Sequence, residues 1–205
     1  MKKLTLLIAI MVSLSFVARA QMNFGVKAGL NMATISGDDV ENASLKPSYQ
    51  IGGVLNFNVT DAMSLQPGLI LAGKGTNNSE NSDFTLSMNY LEIPVNAVYN
   101  ISGFQIFAGP YLGLGLFGKE KYADDDYDIE FTSDVDPTNT SQDKSYFNSF
   151  DYGINAGLGY KLNDAMQIQA NYGLGLSNIF PKVDGEDPSI EANNSVIQLT
   201  VSYFL

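Results

Sequence analysis

Phe150-Asp151-Tyr152-Gly153-Ile154-Asn155-Ala156-Gly157-Leu158-Gly159-Tyr160-Lys161-Leu162 alternates without a break between apolar residues and residues that are polar or glycine. Successive side chains of a strand point to opposite faces. One face therefore reads Phe150, Tyr152, Ile154, Ala156, Leu158, Tyr160 and Leu162, and the other Asp151, Gly153, Asn155, Gly157, Gly159 and Lys161. At about 3.3 Å per residue and a tilt of about 40°, the steps from Phe150 to Tyr160 cover roughly 25 Å, the height of the apolar band of a membrane-spanning β-barrel.

Seven further segments read the same way, at about 23–33, 49–60, 63–74, 87–99, 104–118, 165–177 and 194–205. Their apolar phases include Phe24, Val26, Leu30 in the first, Leu91, Ile93, Val95 in the fourth, and Ile197, Leu199, Val201 in the last. The segments at 63–74 and 104–118 are apolar on both phases in places, so their facing stays open. Connections alternate strictly. Long polar stretches lie at 34–48, 75–86, 119–148 and 178–193, and short turns at Thr60-Asp61-Ala62, Asn100 to Gly103 and Asn163-Asp164. Eight strands with four long loops outside, three short turns inside and both ends in the periplasm give this count, so the expected fold is all-β, an eight-stranded antiparallel up-and-down transmembrane β-barrel. Phe24, Phe57, Tyr99, Phe104, Tyr160 and Tyr203 fall at one expected height and suggest an aromatic girdle at the periplasmic rim.

Residues 1–20 read as a separate object. Lys2 and Lys3 precede the apolar run Leu4 to Val17, and Ala18-Arg19-Ala20 fits a small-x-small cleavage site, so a removed signal peptide followed by a barrel domain over 21–205 is expected. The chain holds 11 basic and 22 acidic residues, and all three basic residues of the leader leave with it. Such an acidic surface repels nucleic-acid phosphates. There is no cysteine and no histidine. That excludes a disulfide frame, a thiolate metal site and a catalytic thiol, and removes the commonest general base. No nucleophile stands beside a base, no cofactor is implied, and the reading is not an enzyme.

Several motifs carry a family resemblance: Gly25-Val-Lys-Ala-Gly-Leu-Asn-Met-Ala33, Ser64-Leu-Gln-Pro-Gly-Leu69, Tyr90-Leu-Glu-Ile-Pro-Val95, Gly109-Pro-Tyr-Leu-Gly113, Phe150-Asp-Tyr-Gly-Ile154 and Asn171-Tyr-Gly-Leu-Gly-Leu-Ser-Asn178. In order along the chain, they resemble the outer-membrane β-barrel family often called porin-family or PorT-like, common in the Bacteroidota. The resemblance implies an outer-membrane barrel, with the barrel-assembly machinery and the lipid and lipopolysaccharide of that membrane as partners. Barrels of this type usually end on an aromatic, whereas this chain ends Tyr203-Phe204-Leu205. Pro67, Pro94 and Pro110 fall inside expected strands, where a proline removes a ladder hydrogen bond, so bulges or locally broken pairing are expected there.

Two candidate sites follow. The loop at 119–148 crowds carboxylates, and Asp124, Asp126, Asp128 and Glu130 could offer oxygen ligands to Ca²⁺. The pattern lacks the fixed glycine and terminal glutamate of a calcium loop, and charge runs are more often solvated faces. The same loop could meet an extracellular partner, or bridge through divalent cations to lipopolysaccharide. The second candidate is a lumen network of Lys27, Glu92, Asn155, Gln169 and Gln198, with Lys27 and Glu92 joined in one polar system. Eight strands enclose room only for side chains or one small ligand, which favours a filled lumen. The expected function is a structural or surface-interaction barrel. The alternatives are a transport or small-ligand barrel with a narrow pore, and a soluble lipocalin-like carrier.

Overall fold

The computed structural model describes residues 22–38, 40–80 and 83–205, the side chain of Asn139 excepted. The expected leader, residues 1–20, and its cleavage site lie outside the described residues. Eight strands dominate: β1 (Met22–Ser36), β2 (Lys46–Asn58), β3 (Met63–Asn78), β4 (Phe84–Ile101), β5 (Phe104–Tyr122), β6 (Phe150–Lys161), β7 (Met166–Gly175) and β8 (Asn193–Phe204). Each pairs antiparallel with its neighbours, and β1 pairs with β8 from Gly25↔Phe204 to Ser36↔Asn193, which closes the ring. Closure leaves none of the eight as an open edge.

The facing read from the sequence holds around the ring. Leu30, Ile51, Ile93, Ile154, Leu158 and Leu199 are exposed on the outer wall, while Asn31, Gln50, Glu92, Asn155, Gln169 and Gln198 are buried inside it. The two open phases are now assigned: Leu65 and Leu69 on β3, and Ile106 and Leu112 on β5, face outward, while Ile70, Phe107 and Tyr111 turn in. The six girdle aromatics gather at the short-turn end, with Phe104 and Tyr160 in edge-to-face contact at 4.9 Å. The turns there are locally specified. Ser102 (φ 50°) and Gly103 (φ 94°) supply the left-handed pair of a tight hairpin, and Asn163 Oδ1 accepts from the amides of Ala165 and Met166.

At the prolines, the ladder is interrupted without loss of register. Pairing between β2 and β3 passes from Val54↔Gly68 to Phe57↔Leu65, and between β3 and β4 from Pro67↔Val95 to Ile70↔Glu92. Pairing between β4 and β5 passes from Pro94↔Tyr111 to Ala97↔Ala108. The three gaps are contiguous across neighbouring strands, so the missing donors are concentrated in one patch of wall. The single register shift in β5 lies elsewhere, beside Asn89 and Tyr90 near the long-loop end.

Two of the expected long loops are more ordered than the sequence reading had them. The 75–86 stretch continues β3 and β4 as a hairpin paired to Asn77↔Thr85. Within 119–148, β5 runs on to Tyr122, Asp125–Phe131 folds back on it, and Lys144–Phe147 pairs parallel to that strand. Outside the hydrocarbon layer, a strand needs no apolar face, so period-two alternation disappears although backbone pairing continues. The strand ends therefore carried no signal in the sequence.

Candidate functional site

Glu92 on β4, Gly113 on β5 and Asp151 on β6 stand opposite one another on a single ladder row. The missing side chain at Gly113 leaves the two carboxylates facing across an open gap. Lys74, four residues above that row on β3, reaches down into it. Its Nζ lies 2.5 Å from Glu92 Oε1 and 2.6 Å from Asp151 Oδ2. All three side chains are almost wholly shielded from solvent. Asp151 is held further by the hydroxyls of Ser177, donating at 2.9 Å to Oδ1, and Tyr111, donating at 3.3 Å to Oδ2. The Tyr111 ring lies beneath the ammonium at 4.2 Å from its centroid. A charge removed from water must be repaid by partners of this quality. Here one cation bridges two anions, the hydroxyls support Asp151, and the ring face supports the ammonium.

The other charge in the barrel bonds elsewhere. Lys27 Nζ donates to Gln169 Oε1 at 3.1 Å. Lys27 and Glu92 lie on one ladder row, through Gly52 and Ile70, yet Glu92 takes Lys74 as its direct partner. Lys27 and Glu92 thus attract one another along a shared row, while the direct ion pair of Glu92 is with Lys74. Lys74, Asp151, Tyr111 and Ser177 were missed as site residues. Lys74 was hidden because its strand is apolar on both phases, and Asp151 read only as one polar position among glycines. Below and beside the triad, amides bond in pairs: Gln50 to Asn31 at 2.7 Å, Asn171 to Gln198 at 2.5 Å and Gln66 to Asn56 at 2.9 Å. Asn155 fills the space left by Gly173, where an added Cβ would sit 2.8 Å from its Oδ1. Among the described residues, Lys27 and Lys74 inside the barrel match Glu92 and Asp151 in formal charge.

Above the triad, toward the long loops, the interior becomes apolar. Leu86, Met88 and Tyr90 from β4, Ile35 from β1, and Phe147, Ile179 and Ala192 from the loops form one buried cluster. Phe131 crosses the mouth edge-on to Tyr90 at 5.4 Å, its ring lying where a side chain on Gly115 would have to be.

The carboxylates proposed for Ca²⁺ do not converge. Asp126, Asp128 and Glu130 alternate along the strand Asp125–Phe131, and Asp124 sits in the preceding turn. Asp126 meets Lys121 at 3.2 Å and Lys119 at 3.7 Å, Asp128 meets Lys119 at 3.7 Å, and Glu130 meets Lys144 at 2.7 Å. Strand geometry spaces alternate residues by about 6.6 Å, so Asp126 and Glu130 stand roughly 13 Å apart, too far for one ion to gather all three. Among the described residues no group of three or more acidic side chains could hold a metal. The pairing with Glu130 raises the Lys144 ammonium above its ordinary range, and Thr138, donating from both backbone and hydroxyl, lowers the Asp136 carboxyl.

The Lys74 assignment has a measurable consequence. A double-mutant cycle on Lys74→Met and Glu92→Gln should show a coupling of about 1–3 kcal/mol in urea unfolding of the folded barrel. The cycle on Lys27→Met and Glu92→Gln should give a clearly smaller value. Equal couplings would mean that Glu92 shares its charge between the two lysines.

Residues 17–181 match the family model described as outer membrane protein beta-barrel domain. No curated protein sequence matches the chain. Among solved structures, Ail, the attachment invasion locus protein of Yersinia pestis, superposes with a TM-score of 0.52 at 11% identity over 89% of this chain and 98% of Ail. Ail in complex with the heparin analogue sucrose octasulfate gives the same score, 0.52, at 11% identity over 90% of this chain and 99% of that one. Neisserial surface protein A superposes with a TM-score of 0.50 at 12% identity over 88% of this chain and 96% of its own. At such identities the likeness is one of fold.

Proposed function

The chain belongs to the outer membrane protein beta-barrel domain family, and from that premise we propose that it is a closed, non-conducting barrel of the cell outer membrane that acts through its outer surface. The observation behind this reading is the double filling of its interior: a polar layer of ion-paired side chains around Lys74, and above it the apolar cluster at the long-loop mouth. An ion crossing the barrel would have to displace a bonded ammonium and then pass through a hydrocarbon layer, and both steps are costly. Residues 1–20 are assigned to a removed export signal, the four long loops to the cell exterior and both ends of the barrel to the periplasm. Lipid, lipopolysaccharide and the assembly machinery are its envelope partners. The reading is non-enzymatic, since the buried titratable groups are bonded to one another inside the wall rather than presented in a cleft. The apolar exterior also argues against a soluble carrier, which would place polar residues outside.

The outer end sets the kind of interaction. All acidic residues except Asp61, Glu92, Asp151 and Asp164 fall in the four long connections of the sequence. Ail accepts a polyanion, the heparin analogue. On this chain the acidic outer end opposes a polyanion, and the surface partner is one that tolerates or seeks negative charge. The test of the closed-barrel reading is planar-bilayer recording on the folded protein. Baseline current is expected, and stable conductance steps would favour a transporting barrel instead.

A further inference from the structure

Two loops meet at the outer end, and the sequence alone does not bring them together. Asp134–Val135 and Lys182–Val183 pair as a short parallel ladder. The Lys182 amide donates to Ser133 O at 3.1 Å, the Asp184 amide to Val135 O at 3.0 Å, and the Gly185 amide to Asp134 Oδ1 at 3.1 Å. Asp184 (φ 54°) and Gly185 (φ 78°) close a tight turn beyond the ladder. The return of the same loop is pinned by Asn178, whose Nδ2 donates to Ile190 O at 2.7 Å and whose Oδ1 accepts from the amides of Phe180 and Ala192. These bonds hold apart two walls of a cleft of about 590 Å³. That volume lies within the roughly 300–1,000 Å³ usual for ligand sites.

The cleft is apolar within and acidic at its rim. Val135, Phe180, Val183, Pro188 and Ile190 line it, and Glu186 and Asp187 stand at its edge. Val183 and Ile190 are about half exposed, although both are large and apolar. The floor is firm, because Phe180 stacks on Phe147 at 5.9 Å and Phe147 belongs to the buried apolar cluster. Lys182 is bound to Asp187 at 2.8 Å, and among the described residues no cation is paired with Glu186.

We infer that this cleft binds a cationic, apolar-bearing polypeptide segment from outside the cell, an apolar side chain seated on Phe180 and Val183 and a flanking lysine or arginine meeting Glu186 and Asp187. Charge complementarity selects this occupant. A second copy of the chain would bring the same acidic loops face to face, and lipopolysaccharide would bring phosphates. Apolar contact supplies the affinity, and the acidic outer end steers the approach, so binding weakens with salt yet does not vanish.

The inference rests on the surface-interaction reading and is tested apart from it. The protein is folded into phosphatidylcholine nanodiscs and titrated with three short labelled peptides, with empty discs as the blank. The first alternates lysine with phenylalanine, the second replaces phenylalanine by serine, and the third replaces lysine by glutamate. Saturable binding of the first alone is expected, weakened about tenfold or more by Glu186→Lys with Asp187→Lys, through charge reversal at the rim. Val183→Ser should weaken it severalfold while leaving its salt dependence unchanged. Equal binding of the serine peptide would reduce the effect to bulk charge attraction and overturn the cleft. Binding of the glutamate peptide, or self-association of the discs lost in Val183→Ser, would name another occupant and overturn it as well. No binding in a non-conducting barrel would remove this proposal alone, whereas conductance with intact peptide binding would remove only the closed-barrel reading.

Discussion

Lys74→Met should destabilise the folded barrel by about 3–5 kcal/mol, because it leaves two carboxylates buried without their cation. Methionine matches the length of the lysine stem, so packing is nearly preserved and the loss is electrostatic. Glu92 then keeps only the longer-range attraction of Lys27 along its row, while Asp151 keeps the hydroxyls of Ser177 and Tyr111. Adding Glu92→Gln and Asp151→Asn to the same chain should recover more than half of the loss, since neutral amides need no counter-ion. Lys27→Met, which gives up one hydrogen bond to Gln169, should cost only about 1 kcal/mol. Urea titration in detergent micelles, followed by the barrel's circular dichroism, measures all of these. A loss from Lys74→Met no larger than that from Lys27→Met would mean that the triad is bathed in solvent and does not seal the barrel.

Ile154→Lys should cost about 2–4 kcal/mol in a bilayer, because its neighbour on the outer side is hydrocarbon. Ile154 is half exposed on the wall between Tyr152 and Tyr160, and its ladder partners are Pro110 and Leu174. Its sequence neighbour Asn155 faces the opposite way and is buried. Asn155→Ala should be far milder, since the side chain lies over Gly173 and ends in no ion pair. Folding titrations into lipid vesicles compare the two. Equal tolerance would place both residues in water and remove the membrane assignment of this wall.

The same pair of residues shows why the barrel was legible. In a strand whose faces meet hydrocarbon on one side and the barrel interior on the other, each residue reports its side, and Ile154-Asn155 repeats that report along β6. Turn chemistry agreed with it at Asn163 and at Ser102-Gly103, where single residues specify the hairpin. Where strands leave the membrane, as at Lys119 to Tyr122 and Asp125–Phe131, water touches both faces and the pattern stops. The ladder there was invisible for that reason, and the carboxylates of that stretch resembled a loop site until pairing spread them along an edge.

The sequence by itself determined the number of strands, the facing of six of them, the alternation of turns and loops and the acidity of the loop end. All of these follow from local periodicity and composition, which a chain carries residue by residue. Only the tertiary structure decided that Lys74 answers Glu92 and Asp151, that Phe131 covers Gly115, and that Lys182–Val183 lies along Asp134–Val135. Each of those contacts joins residues far apart in the chain, and the shear and closure of the ring set which of several equally polar or apolar candidates come within reach.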